Sequence, residues 1–140
     1  MATQIDISKI EFIFNYNEIK PNCGVVAVAN ALNEGVDAMM DSFREVFNFT
    51  NKWQGRTNVR QLSKMLKLWD KPHSVKQTSG YTLARWVEME TVKGRAYIVR
   101  TGNHFQYVKD GIVSDQHMTA PVAEFHWKRR RVTHVIEIKS

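Results

Sequence analysis

A single cysteine in 140 residues leaves no partner for an internal disulfide, and no cysteine cluster is present to hold a structural zinc. Prolines are scarce: Pro21, Pro72 and Pro121, each at a place where one element gives way to another. No stretch approaches the roughly 18 consecutive apolar residues that a membrane-spanning helix needs. The opening residues, MATQIDISKIEFIF, carry no basic start, no apolar run and no small-residue cleavage site, so no secretory signal is expected. No repeat, low-complexity tract or linker interrupts the chain. These absences lead to the expectation of a reduced, cytoplasmic protein with no membrane contact, folded as one domain over residues 1–140.

Hydrophobic residues make up 43% of the chain and charged residues 24%, which is ordinary globular composition. The net charge of +6 favours an acidic partner, either a protein surface or nucleic acid. The densest basic run is Lys128, Arg129, Arg130 and Arg131, beside Trp127. Cations next to an aromatic ring suit phosphate contacts with base stacking. The competing reading is a solvated loop, and no helix-turn-helix, zinc-finger or RNA-recognition signature accompanies the run.

Residues 5 to 14 read as a short strand or extended arm. VVAVANAL is apolar on nearly every side, and the alanines together with Asn22 as a capping residue predict a buried helix from Cys23 to about Asn33, ending near Gly35. A second helix is predicted from about Val36 to Phe47, with Val36, Met39, Met40, Phe43, Val46 and Phe47 inward. A third is predicted from about Thr57 to Trp69, with Val59, Leu62, Met65, Leu66 and Trp69 inward and Thr57 or Asn58 as cap. A short fourth is predicted between Tyr81 and Met89, with Leu83, Trp86 and Val87 inward. Residues 96–100, 104–108, 111–115 and 132–139 are rich in β-branched and aromatic residues and predict strands, with Asp110-Gly111 as a hairpin turn. TAPVAEF suggests one helical turn before the last strand. Helices followed by an antiparallel sheet make an α+β fold.

The chemistry gathers on two stretches. In PNCGVVAVANALN the thiol of Cys23 sits at a helix start, where unpaired backbone N–H groups favour the thiolate. In TGNHFQYVKDGIVSD a two-residue turn pairs Lys109 with Ile112 and Val108 with Val113. Continued, that register sets Gln106 opposite Asp115 and His104 opposite His117. His104, Gln106 and Asp115 then share one face, with Asp115 diagonal to His104. A nucleophile, a base and an orienting carboxylate is the set that thiol catalysis needs. The plain alternative is a buried small cysteine and a structural histidine.

These residues resemble the papain-like cysteine peptidase fold, and within it the small bacteriocin-processing peptidases and related phage proteins. NCGVVAVANALN resembles the nucleophile helix and GNHFQYVKDGIVSD the histidine–aspartate hairpin. GRTNVRQLSKMLKLW resembles the helix that follows the nucleophile helix, and TAPVAEF with VTHVIEIK resembles the usual ending. The likeness runs from about residue 15 to 139. It implies a thiol hydrolase acting on a peptide or amide bond of a peptide or protein substrate, with Cys23 as nucleophile, His104 as base and Asp115 as orienter. The family usually carries a glutamine shortly before the cysteine to hold the oxyanion. No glutamine stands there in this chain; Asn17 lies six residues before Cys23 and is the candidate donor. The other function compatible with the resemblance is a catalytically inactive scaffold, phage-encoded, that binds a host protein or nucleic acid through its basic surface.

His73, His117, His126 and His134 show no metal-ligand spacing with acidic or cysteine partners, so no metal is expected, and no cofactor is expected either. Trp53 is expected to pack on the helices, Trp86 to lie in the core, and Phe105 and Tyr107 to face away from His104.

Overall fold

The computed structural model describes residues 21–78 and 80–139. The expected arm at residues 5 to 14 and Asn17 lie outside that range. Helices α1 (Cys23–Leu32), α2 (Val36–Phe47) and α3 (Val59–Leu68) come first, then strand β1 (His73–Gln77) and helix α4 (Leu83–Glu90). Strands β2 (Ala96–Thr101), β3 (His104–Lys109), β4 (Ile112–Ser114) and β5 (Thr119–Pro121) follow, then a 3-10 turn at Val122–Glu124 and strand β6 (Val132–Ile138). All six strands join one antiparallel sheet in the order β1-β6-β2-β3-β4-β5. The fold is α+β.

The sheet is covered on both faces. On one, Val25, Val28, Phe43, Leu62 and Leu66 of the first three helices close over Ile98, Phe105 and Ile136. On the other, Leu83, Trp86 and Phe125 close over Tyr97, Val99, Val108 and Val135. Each fully buried side chain of this size contributes about 1.5–3 kcal/mol relative to exposure. Helix α1 is apolar nearly all round because it is wedged between the sheet and its two neighbours.

Several boundaries differ from the sequence expectation. Helix α1 stops at Asn33, which takes the left-handed conformation (φ 56°) and donates its N–H to Ala29 and Asn30. Gly35 (φ −70°) instead opens α2. Asparagine tolerates the left-handed region well enough to end a helix without glycine. Asn22 occupies the cap position of α1, but its side chain makes no capping bond. Asn58, not Thr57, caps α3, through a reciprocal pair with Gln61. Val36, Val46 and Trp69, expected inward, are exposed, because the buried stripes of α2 and α3 are narrower than the apolar pattern. Strands β1 and β5 are additions. HSVKQ is nearly all exposed and shows no alternation, and TAP holds a proline that only an edge strand accepts.

Candidate active site

Asp110 and Gly111 both have positive φ (52° and 79°), the signature of a tight two-residue hairpin turn. The register beyond it is Lys109↔Ile112, Val108↔Val113 and Tyr107↔Ser114. The ladder then ends instead of running on to Gln106 and His104 as expected. At Asp115 the chain turns, with the Asp115 N–H donating to Met118 O at 2.9 Å. In that turn the Asp115 carboxylate lies against His104.

The result places His104 Nε2 at 2.7 Å from Asp115 Oδ2. The Asp115 side chain is fully buried and that of His104 nearly so. The other carboxylate oxygen accepts the backbone N–H groups of His117 and Met118 at 2.8 and 2.9 Å. Burial alone would raise the Asp115 carboxyl. Bonds from His104, His126 and the two backbone N–H groups instead lower it to about 2.

With Nε2 engaged, Nδ1 is the His104 nitrogen left for the thiol. Cys23 stands at the first position of α1, and the Phe105 N–H reaches its Sγ at 3.4 Å across 82 residues of sequence. Burial by itself would raise the thiol. The His104 ring, the Phe105 N–H, the His104 charge and the Gly24 N–H together hold it below its ordinary value. Burial likewise opposes the His104 cation, and the bonds and charges of Asp115 and Cys23 outweigh it, so the imidazole sits above its ordinary value. The two groups shift towards each other, as a thiolate–imidazolium pair does.

Gly24 is required by packing. A Cβ there would lie 2.1 Å from Thr57 Oγ1, 3.0 Å from Leu62 and 3.2 Å from Phe105. Gly55 performs the same service from the facing loop. Its φ is +114°, and a Cβ would meet Asn22 Cβ at 2.4 Å. Trp53 holds that loop by packing on Phe43 and Phe49 and by donating its Nε1–H to Arg56 O at 2.9 Å.

The fold adds residues that sequence spacing did not reveal. Phe125 is buried and anchors the segment before β6, which sets the next two side chains over the site. His126 Nε2 lies 2.8 Å from the same Asp115 Oδ2. The Trp127 ring stands edge-on to His104 at 4.3 Å. His117 packs against both His104 and His126. Burial lowers His117 against the opposing pull of Asp115, and the charges of His104 and His126 act in the same direction as burial. His104, Asp115 and His126 also offer three metal-ligand atoms within 4.8 Å of one another, a convergence that linear spacing concealed. These atoms already bond one another, so a cation there would displace both Nε2 protons.

The Lys128–Arg131 run folds back on the protein. Lys128 Nζ donates to Ala123 O, Arg130 stacks on Trp127 at 3.8 Å, and Arg131 donates to Gly80 O. Arg129 is exposed. Among the described residues no helix is long and apolar enough to cross a membrane. In comparisons with known proteins the chain matches no family model, no curated protein and no solved structure.

Proposed function

We propose that this chain is a small thiol hydrolase of papain-like architecture, a cysteine peptidase or amidase. Cys23 is the nucleophile, His104 the base and Asp115 the orienter. The observation that carries the reading is the convergence of three residues from two distant segments. The thiol lies at a helix start under the Phe105 N–H, and a buried aspartate holds the far nitrogen of the facing imidazole. A structural cysteine has no need of that arrangement.

His104 takes the Cys23 proton on Nδ1 while Asp115 holds the Nε2–H. The thiolate attacks the carbonyl carbon of a peptide or amide, forming a carbon–sulfur bond and a negative oxygen. The Cys23 backbone N–H and Asn17, standing where the resembled family carries its glutamine, are the proposed donors to that oxygen. The imidazolium gives its proton to the leaving amine as the carbon–nitrogen bond breaks. Water, deprotonated by His104, then releases the acyl group and restores the thiol.

The test is the rate of Cys23 alkylation by iodoacetamide as a function of pH, in wild type and His104→Ala. The pair predicts a rate that stays high well below the ordinary thiol value of about 8.5, and a profile that returns to that value in His104→Ala. An ordinary profile in the wild type would sink the hydrolase reading and leave a non-catalytic scaffold.

A further inference from the structure

Two clefts that share Val59, Arg60 and His134 form a groove along α3. At its near end stand Asn103, which precedes His104, and Thr57, which lies against Gly24, the neighbour of Cys23. It continues past Arg60, Val59 and His134, which line both its near and far halves. The far half runs between α3 and β1, over Leu68 and Val75, to Asp70.

The walls are cationic. Arg56, Arg60 and Arg100 line the near half, and Lys64 and Lys67 the far half. Arg100 is aimed along the near end by its bond to Asn103 Oδ1 at 3.1 Å. Among the described residues none of these five cations is in an ion pair, and Asp70 is the one carboxylate on the wall. The floor is apolar: Leu68 is 54% exposed and Val75 43%. Strand β1 lies at the sheet's edge, with β6 on one side and no strand on the other among the described residues. Such an edge can pair with an extended chain.

We propose that the substrate is an acidic polypeptide segment carrying apolar side chains, held in this groove with its scissile bond towards Cys23. The proposal rests on the hydrolase reading for the word substrate. The basic walls match carboxylates, the floor matches apolar side chains, and the open strand edge matches a polypeptide backbone. A nucleic acid would find cations but few rings to stack on, since His134 is the only aromatic side chain of the groove.

The experiment uses the full chain as Cys23→Ala, so that binding is read without turnover. Fluorescence anisotropy is measured with three labelled probes: a peptide alternating glutamate and leucine, the same peptide with lysine for glutamate, and an oligothymidylate of equal length. The acidic peptide is expected to bind best and to weaken as salt is raised. Arg60→Glu with Lys67→Glu should weaken it about tenfold, since like charges then face each other. Both positions are exposed, and circular dichroism checks that the variant folds. In the wild type, the acidic peptide should slow the alkylation of Cys23, because Asn103 and Thr57 at the near end adjoin His104 and Gly24.

Equal binding of the lysine peptide, tighter binding of oligothymidylate, or no effect of the charge reversals would each overturn the proposal. An ordinary alkylation profile together with charge-dependent peptide binding would remove the hydrolase and keep only a peptide-binding groove. A perturbed profile without peptide binding would do the reverse.

Discussion

Helices α1 and α3 are each ten residues long and pack under the same sheet face, but their N-terminal ends are finished in opposite ways. At α3, Asn58 accepts the Gln61 N–H at 2.9 Å and Gln61 returns a bond to the Asn58 N–H at 3.0 Å. That reciprocal cap stabilises the helix start. At α1 the Asn22 side chain makes no such bond. The first turn holds a thiol instead, with the Phe105 N–H donating to its sulfur. The same helix-end chemistry caps a helix in one place and lowers a thiol in the other. Where a helix start gives up its cap, the polar groups it leaves open are available for chemistry.

The comparison can be broken hardest at Gly24. Its replacement by alanine drives a methyl into Thr57, Leu62 and Phe105, which separates α3 from α1 and moves the Phe105 N–H off the thiol. We expect a loss of about 1–3 kcal/mol in urea unfolding and an alkylation profile shifted back towards an ordinary thiol. Unchanged values in both would mean that the close approach at Gly24 is not needed.

Acid should weaken the buried network around His104 through Asp115. Its folded value of about 2 lies below the ordinary 3.8. The stabilisation is therefore fully present above about pH 4 and is lost as pH falls towards 2. Its size is about 2 kcal/mol for a carboxylate with no exposed surface. Asp115→Asn should lack that acid-dependent part when unfolding free energies are compared across the same range. Parallel curves for the two proteins would contradict the buried network.

The smallest effects sharpen the contrast between the caps. Asn58→Ala should cost about 1 kcal/mol and leave Cys23 reactivity unchanged. Asn22→Ala should cost less than about 0.5 kcal/mol, because no side-chain bond is lost. Equal costs at the two positions would erase the distinction.

Much of this was legible in the residues. The apolar spacing of α2 marks it from Val36 to Phe47, and Asp110-Gly111 gives the hairpin turn and its first pairs. The proximity of His104 to Asp115 follows from that register, although the contact is completed by a turn at Asp115 rather than by a longer ladder. Other features had no local signal. Strand β1 is polar and exposed, so nothing in HSVKQ alternates. His126 reaches Asp115 only because Phe125, buried on the far face, fixes the segment that carries it. The basic surface was placed at Lys128–Arg131 because those residues adjoin in sequence. A second set of cations, Arg60, Lys64 and Lys67 of α3 and Arg100 of β2, is brought together only by the fold. Linear patterns report periodicity and turns well, and report convergence across the sheet poorly.

The most direct test of the account is an NMR titration of the His104 imidazole in wild type and Cys23→Ser. A thiolate partner predicts a His104 ring that stays protonated on both nitrogens well above its ordinary value of 6.5, and a midpoint that falls in Cys23→Ser. A His104 midpoint at or below the ordinary value in the wild type, unchanged by removing the thiol, would contradict the pair on which the proposed chemistry depends.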